Sequence, residues 1–228
     1  MKESMKALID ADIVCYRAAC SAEDDEQWVA QARADKIVND ILEDTGADSY
    51  GMYLTGSGNF RRELLPSYKA NRPVERPKHW AAVREFLVTQ HKAVMCEGYE
   101  ADDELGIQQD KERGTTVICS IDKDLLQIPG RHYNFVKKVF QEVTYDQGYK
   151  ALYIQSLVGD RSDNIFGIAG IGPVKAGKVL DGLLPEEYYE ACRELYNDDE
   201  RYHTNMKLLY IWRKPNDMWE PPTKRLVA

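Results

Sequence analysis

Four acidic groups recur along the chain at short spacings. They are Asp10 with Asp12 in ALIDADIV, and Glu100, Asp102 and Asp103 in GYEADDELG. Asp122 and Asp124 follow in VICSIDKDLLQI, and Asp160 and Asp163 in LVGDRSDNIFG. Carboxylates brought together repel one another and hold protons more tightly unless cations neutralise them. Hard oxygen donors without His or Cys select Mg2+ or Mn2+ rather than zinc. Two such ions about 4 Å apart can stabilise both the attacking and the leaving oxygen of an in-line phosphoryl displacement. Taken singly, each group has an ordinary explanation. The acids of GYEADDELG suit the positive end of a helix dipole. Asp122 fits a cap on the turn into Leu125 and Leu126, and Asp160 and Asp163 fit a surface turn. Four such groups in one chain are harder to assign to caps.

Two further segments offer contacts to a polyanion. NFRRELLPSYKANRP sets Arg61, Arg62, Lys69 and Arg72 among the aromatics Phe60 and Tyr68. Lys brings a mobile point charge to a phosphate, Arg a bidentate fork, and an aromatic ring a stacking face for an unpaired base. The same stretch reads equally well as a solvated loop with Phe60 and Leu64 tucked into a core. NIFGIAGIGPVKAGKVL places Gly167, Gly170 and Gly172 ahead of a helix beginning near Pro173, with Lys175 and Lys178 on that helix. Glycines allow turns closed to other residues, and amides at a helix start can then face a phosphate. Such a helix–turn–helix would grip a duplex through its backbone without reading sequence. A tight interhelical turn is the plain alternative.

The elements that must position these residues follow from apolar pattern. Short runs at Lys6–Ile9, Tyr50–Leu54, Ala93–Cys96 and Thr116–Ser120 predict strands. Helices are predicted over Ala30–Glu43, Ala81–His91 and Asp102–Arg113, the first stopping before Gly46 and the last at Gly114. Strands alternating with helices predict an α/β fold with a mostly parallel sheet, in which ligands bind beyond the carboxyl ends of the strands. Three of the four acidic groups follow predicted strands and can converge there. Beyond Tyr149 the pattern turns almost wholly helical. The expected division is an α/β body over 5–148, a helical region over 149–220, and a tail from Pro221 to Ala228.

Composition bounds the rest. The 228 residues suit one compact domain or a domain with a small appendage, and 43% hydrophobic with 30% charged content allows both a core and solubility. No stretch approaches the roughly 20 apolar residues that cross a bilayer. The opening MKESMKALIDADIV shows no cleavage-site pattern, so no secretory signal is expected. Five cysteines without a CxxC pair, and four scattered histidines, argue against a zinc site or disulfide framework and for a reducing cytosol. The net charge of −8 opposes a nucleic-acid partner on average, yet it hides an asymmetry. From Asn59 to Lys92 there are eight Lys or Arg against three Glu; from Ala93 to Asp124, nine Asp or Glu against three Lys or Arg. A basic segment beside an acidic one suits a site that grips a polyanion and brings cations to it, though two solvated faces would give the same counts.

With these motifs in order (LIDAD, YKANR, EADD, DKD, GDRSDNI, GIAGIG), the chain resembles the flap endonuclease and 5′–3′ exonuclease family from about Lys6 to Leu180. It is most similar to the small stand-alone members carried by bacteriophages. The resemblance implies a PIN-like α/β nuclease fold, with a helix-hairpin-helix-like element near 158–180 that binds duplex and takes K+ on main-chain carbonyls of the Gly167–Gly172 turn. It also implies a two-metal site from Asp10, Glu100, Asp102, Asp122, Asp124, Asp160 and Asp163, with Asp103 beside it. Lys69 and Arg72 would sit over the scissile phosphate. From the residue types of the basic and glycine segments themselves, Arg61, Arg62, Tyr68, Lys175 and Lys178 are expected to contact DNA. Three departures stand out. Asp12 occupies a place where many relatives have a neutral residue. Lys175 comes one position later than in the frequent GIGxK pattern. Only 27 residues, 73–99, separate Arg72 from Glu100. After the predicted helix and strand only Pro73–Trp80 remain, with two prolines, so no full closed arch is expected.

The expected activity is Mg2+- or Mn2+-dependent hydrolysis near the 5′ end of duplex or flapped DNA, or of an RNA–DNA hybrid. The protein would act as a monomer in a cytoplasm, that of a bacterial host if phage-encoded, with no membrane partner. The competing expectations are a PIN-type ribonuclease acting on RNA and a non-catalytic structure-specific DNA-binding module.

Overall fold

The computed structural model describes residues 4–222. Of the tail expected over Pro221–Ala228, positions 223–228 lie outside the described residues. In chain order the elements are β1 (Lys6–Asp10), α1 (Ala11–Ser21), α2 (Gln27–Thr45), β2 (Ser49–Thr55), α3 (Phe60–Leu64), α4 (Trp80–His91), β3 (Val94–Cys96), α5 (Ala101–Lys111) and β4 (Thr116–Cys119). They continue with β5 (Gly130–Asn134), β6 (Val139–Val143), α6 (Tyr145–Val158), β7 (Gly159–Asp160), β8 (Ile165–Phe166), α7 (Pro173–Leu180), α8 (Tyr188–Tyr196) and α9 (Asp199–Leu209). None of the helices among these residues is long and apolar enough to cross a membrane.

The chain forms two compact units and passes between them repeatedly. One comprises the chain up to Phe60, Pro73–Thr144 and Ile211–Pro215; the other comprises Arg61–Arg72, Tyr145–Tyr210 and the chain from Asn216. A single cut near residue 148 does not express this exchange of segments.

The first unit is built on a six-stranded sheet in the order β3-β2-β1-β4-β5-β6. All neighbours run parallel except β5 and β6, which form an antiparallel edge hairpin. β1 is central, with Lys6 level with both Ser49 of β2 and Thr116 of β4, so the strands end together near Asp10, Thr55 and Cys119. Alternation on β1 feeds two cores. Ala7 and Ile9 pack with Val14, Val38, Ile41 and Leu87 of the helices α1, α2 and α4. Leu8 faces the other way, among Tyr53, Ile118 and Leu105 of α5, with Ile211 beside them. Truncating such a fully buried Leu to Ala costs about 2–5 kcal/mol. This is the mostly parallel, helix-flanked α/β sheet that the sequence predicts. The helices α2, α4 and α5 begin and end within three residues of their predicted bounds, and α2 stops where Gly46 adopts φ +61° and turns its amide back onto Leu42 and Glu43.

The second unit closes around α6, α7, α8 and α9, with Tyr153, Tyr196, Tyr202 and Met206 in its core and Tyr68 contributed by the Arg61–Arg72 segment. The sequence predicts almost wholly helical chain here. The structure adds a small antiparallel ribbon, β7 with β8, pairing Gly159 with Phe166 and Asp160 with Ile165. Glycine is required where it begins. Gly159 has φ +74°, and a Cβ on it would collide with the Gly167 amide nitrogen and the Ile165 carbonyl.

Candidate active site

In the α/β unit the acidic side chains sit at the strand ends, as anticipated. β1 ends at Asp10, which also caps α1: one oxygen accepts the Ile13 N–H at 3.1 Å, the other the Ser120 hydroxyl at 2.7 Å. Ser120 lies just past β4 and accepts the Asp122 N–H at 3.1 Å, while Asp122 accepts that of Asp124 at 2.8 Å. One hydroxyl thus joins the ends of two neighbouring strands. Asp10 is 3% exposed. Burial pushes its carboxyl up to about 7, helped by the charges of Asp12 and Asp122 and opposed by the bonds from Ser120 and Ile13.

Asp12 is held differently. Arg84 of α4 donates to it at 2.8 Å and to the Thr55 carbonyl at 2.7 Å, and the Thr55 N–H reaches its other oxygen at 2.9 Å. The Thr55 hydroxyl in turn accepts the Ala101 N–H at 3.0 Å, linking the end of β2 to the start of α5. There Glu100 precedes the helix, buried, accepting from Asn59 at 2.8 Å. Asp102 stands half-buried in the first turn, and Asp124, beside the exposed Lys123 at 2.6 Å, opens a short 3-10 turn.

Asp103, expected beside the ligand set, bonds to the backbone. It is 0% exposed, and its oxygens accept the N–H groups of Glu100 and Trp212, both at 3.1 Å. A carboxylate spent on two buried amides secures the backbone.

The helical unit carries the remaining acids and the basic pair. Asp160 accepts the Ser162 N–H at 2.8 Å and hydroxyl at 2.6 Å within a tight turn. Asp163 gathers the YKANR segment: Tyr68 donates to it at 3.1 Å, Lys69 Nζ lies 3.6 Å away, and Arg72 pairs with it directly. Main-chain bonds reinforce the match. The Lys69 N–H donates to the Asp163 carbonyl at 3.0 Å, and Asn71 and Arg72 reach the carbonyls of Arg161 and Ser162.

Two expected DNA contacts do other work. Arg61 is 2% exposed and donates to the carbonyls of Leu208 and Tyr210 at 2.8 and 2.9 Å, so its charge is committed inside the unit. Tyr68 is 2% exposed, and its ring has no open face for a base. Arg62, Lys175 and Lys178 are exposed, as are Gly170 and Gly172, whereas Gly167 packs against Gly159.

Sequence reasoning missed Ser120, Asn59, Thr55 and Arg84. Ser120 had a usable signal, a small hydroxyl between a buried strand and DKD; the others are single polar residues outside any motif.

Among the described residues, no three carboxylate, His or Cys side chains form a ready ligand shell. The chemistry of the donors nevertheless fits hard divalent ions. They are all oxygens, and a neighbouring cation would offset the burial and like charge that raise Asp10.

Residues 6–153 match the family model described as 5′-3′ exonuclease, N-terminal resolvase-like domain. The chain belongs to this family. Among relatives of this exonuclease-domain chain, the 5′-3′ exonuclease of Mycoplasma genitalium is 33% identical over 177 residues, 67% of this chain and 60% of its own length. The flap endonuclease Xni of Shewanella baltica is 30% identical over 138 residues, 54% of this chain and 52% of its own length. The chain therefore spans less than two thirds of either relative. A solved complex of the bacteriophage T5 flap endonuclease with DNA and metal ions is similar at a TM-score of 0.66 and 17% identity, covering 90% of this chain and 88% of that one. That likeness establishes a shared PIN-like fold.

Proposed function

We propose that this exonuclease-domain chain is a divalent-metal-dependent 5′-nuclease that hydrolyses phosphodiesters near the 5′ end of DNA, as an exonuclease, a flap endonuclease or both. The observation that carries the reading is Asp10: a buried carboxyl raised to about 7 beside Asp12 and Asp122, at the carboxyl end of the central parallel strand. Relatives named 5′-3′ exonuclease and flap endonuclease, and the DNA and metal ions held by the T5 protein, support it.

In the α/β unit, Asp10, Glu100, Asp102, Asp122 and Asp124 are the proposed ligands of Mg2+ or Mn2+; in the helical unit, Asp160 and Asp163 take the same role. Bound divalent ions supply charge stabilisation to the attacking and leaving oxygens. The chain's own residues do the rest. Ser120 orients Asp10 and favours its ionised form, and Arg84 keeps Asp12 turned toward Thr55. Lys69 and Arg72 neutralise phosphate charge as it builds in the transition state. Arg62, Lys175, Lys178 and the glycine turn hold duplex backbone. No side chain is assigned as a nucleophile. Action as a monomer in a cytoplasm, in replication or repair, and on RNA–DNA hybrids belongs to the same proposal.

The test is Mg2+-dependent cleavage of 5′-labelled blunt duplex, 5′ flap and RNA–DNA hybrid, beside the Asp122→Asn, Asp124→Asn protein. Short 5′ products from DNA, lost in the double variant, are expected. Absence of cleavage with either Mg2+ or Mn2+, with flap binding retained, would leave a binding module instead.

A further inference from the structure

The resemblance that makes residues 158–180 a duplex grip also implies K+ on the main-chain carbonyls of the Gly167–Gly172 turn. Four of those six oxygens, on Gly167, Ile168, Gly170 and Gly172, have donors within the chain. Arg201, in the first turn of α9, donates to the Phe166 carbonyl at 3.0 Å and to the Gly167 carbonyl. Asn205, one turn further on, donates to the Phe166 carbonyl at 2.9 Å. Lys175 Nζ lies 3.5 Å from the Gly170 carbonyl, and the carbonyls of Ile168 and Gly172 accept the N–H groups of Ile171 and Ala176 at 3.1 and 2.9 Å. The carbonyls of 166, 167, 168, 170 and 172 thus all serve donors of the chain itself, and two of those donors carry full positive charge. A K+ ion needs carbonyl oxygens in place of its hydration shell and is repelled by a cation already among them. With Arg201 and Lys175 already on the carbonyls of 167 and 170, that part of the turn does not fit K+.

Arg201 is also held in place. Asp198 accepts its backbone N–H at 3.0 Å as α9 begins, and its guanidinium lies 5.3 Å from the centroid of the Tyr196 ring. Tyr196 is buried and bonded to the Ser156 carbonyl and to Asn205. The cation beside the turn is therefore part of the fold of the helical unit.

We propose that Arg201 is the resident cation of this turn, supplying from the chain the positive charge that a bound K+ would bring, so that the grip on duplex DNA does not depend on K+. The inference rests on the reading of residues 158–180 as a duplex grip.

The test is equilibrium binding of a 5′-flap duplex to the full chain in KCl and in NaCl at equal ionic strength. The Asp122→Asn, Asp124→Asn background keeps the DNA intact. The two dissociation constants are expected to agree within about 1.5-fold. Arg201→Gln, checked for its fold by circular dichroism, is expected to bind about 5-fold or more weakly in NaCl, with Arg201→Lys close to the parent. Should Arg201→Gln not fold, the parent and Arg201→Lys decide from the two salts alone. A parent that binds several-fold tighter in KCl, or an Arg201→Gln protein that binds as the parent does, overturns the proposal. No binding of any DNA in either salt removes the duplex grip itself, a different failure from a preference for K+.

Discussion

Asp103 accepts the backbone N–H of Trp212, 109 residues further along the chain, while its second oxygen accepts that of Glu100. The Trp212 ring lies between Phe60 and Tyr99, with centroids 4.9 and 5.3 Å away. One buried carboxylate thereby fixes the start of α5, where Glu100 and Asp102 stand. In Asp103→Asn one amide must lose its acceptor, and urea unfolding is expected to show a loss of about 1–3 kcal/mol. Its Mg2+ dependence of cleavage should stay near that of the wild type, whereas Asp102→Asn should do the opposite. A large change in Mg2+ dependence with unchanged stability would make Asp103 a metal ligand.

Ser120 lowers the proton affinity of Asp10. Without that bond the carboxyl ionises at higher pH, so the acid limb of the pH–rate profile of Ser120→Ala should move toward alkaline pH. Its kcat/KM should fall about 10- to 100-fold, as when a partner of a metal ligand is removed. Ser120→Thr, which keeps the hydroxyl, should recover most of both. A uniform loss with an unmoved profile would make Ser120 a packing residue.

The metal-free protein should show the stability signature of Asp10. Its carboxyl in the fold sits near 7 against an ordinary 3.8, a raised value. The contribution is therefore complete below about pH 4 and lost as pH rises through about 7. Melting of the wild type with EDTA should fall relative to Asp10→Asn over that window, by about 5 °C or more, and Mg2+ should remove the difference. Parallel melting curves for the two proteins across pH 4–8 would contradict the raised value.

Lys69 and Arg72 share Asp163, and their roles separate kinetically. Lys69→Ala is expected to lower turnover about 100-fold or more while DNA affinity changes only a few-fold. Equal losses in turnover and affinity, measured by single-turnover kinetics and equilibrium binding, would make Lys69 a simple binding residue.

Gly159 of the β7–β8 ribbon and Gly177 of α7 make a steric test. Gly159→Ala places a Cβ against Gly167 at a positive φ and should cost about 3 kcal/mol or more. Gly177→Ala, inside α7 with open space around it, should gain about 0.5–1 kcal/mol. Denaturant titration separates the two outcomes.

Much of the sheet was legible because its strands are short apolar runs bounded by turns, and the acids at the ends of β1 and β4 sit directly after such runs. The helix α1 was not, because Asp10 ends a strand and caps a helix at once, leaving no break between KALID and ADIVCYRAACS. The β5–β6 hairpin escaped as well: four of the five residues of β6 are exposed, so no buried alternation marks it. Arg61 and Tyr68 look like surface contacts because their partners, the carbonyls of Leu208 and Tyr210 and the carboxylate of Asp163, lie about a hundred residues or more away. Distance along the chain hides such partners, whereas the local pattern reveals the strands.

The route of the chain also has an evolutionary consequence. It changes unit after residues 60, 72, 144, 210 and 215. A gene truncated near residue 148 would strand Arg61–Arg72 without the Asp163 turn and leave the slot between Phe60 and Tyr99 without Trp212. Recombination cannot trade either unit as a single cassette, so the parallel sheet and the helical segment must be inherited together.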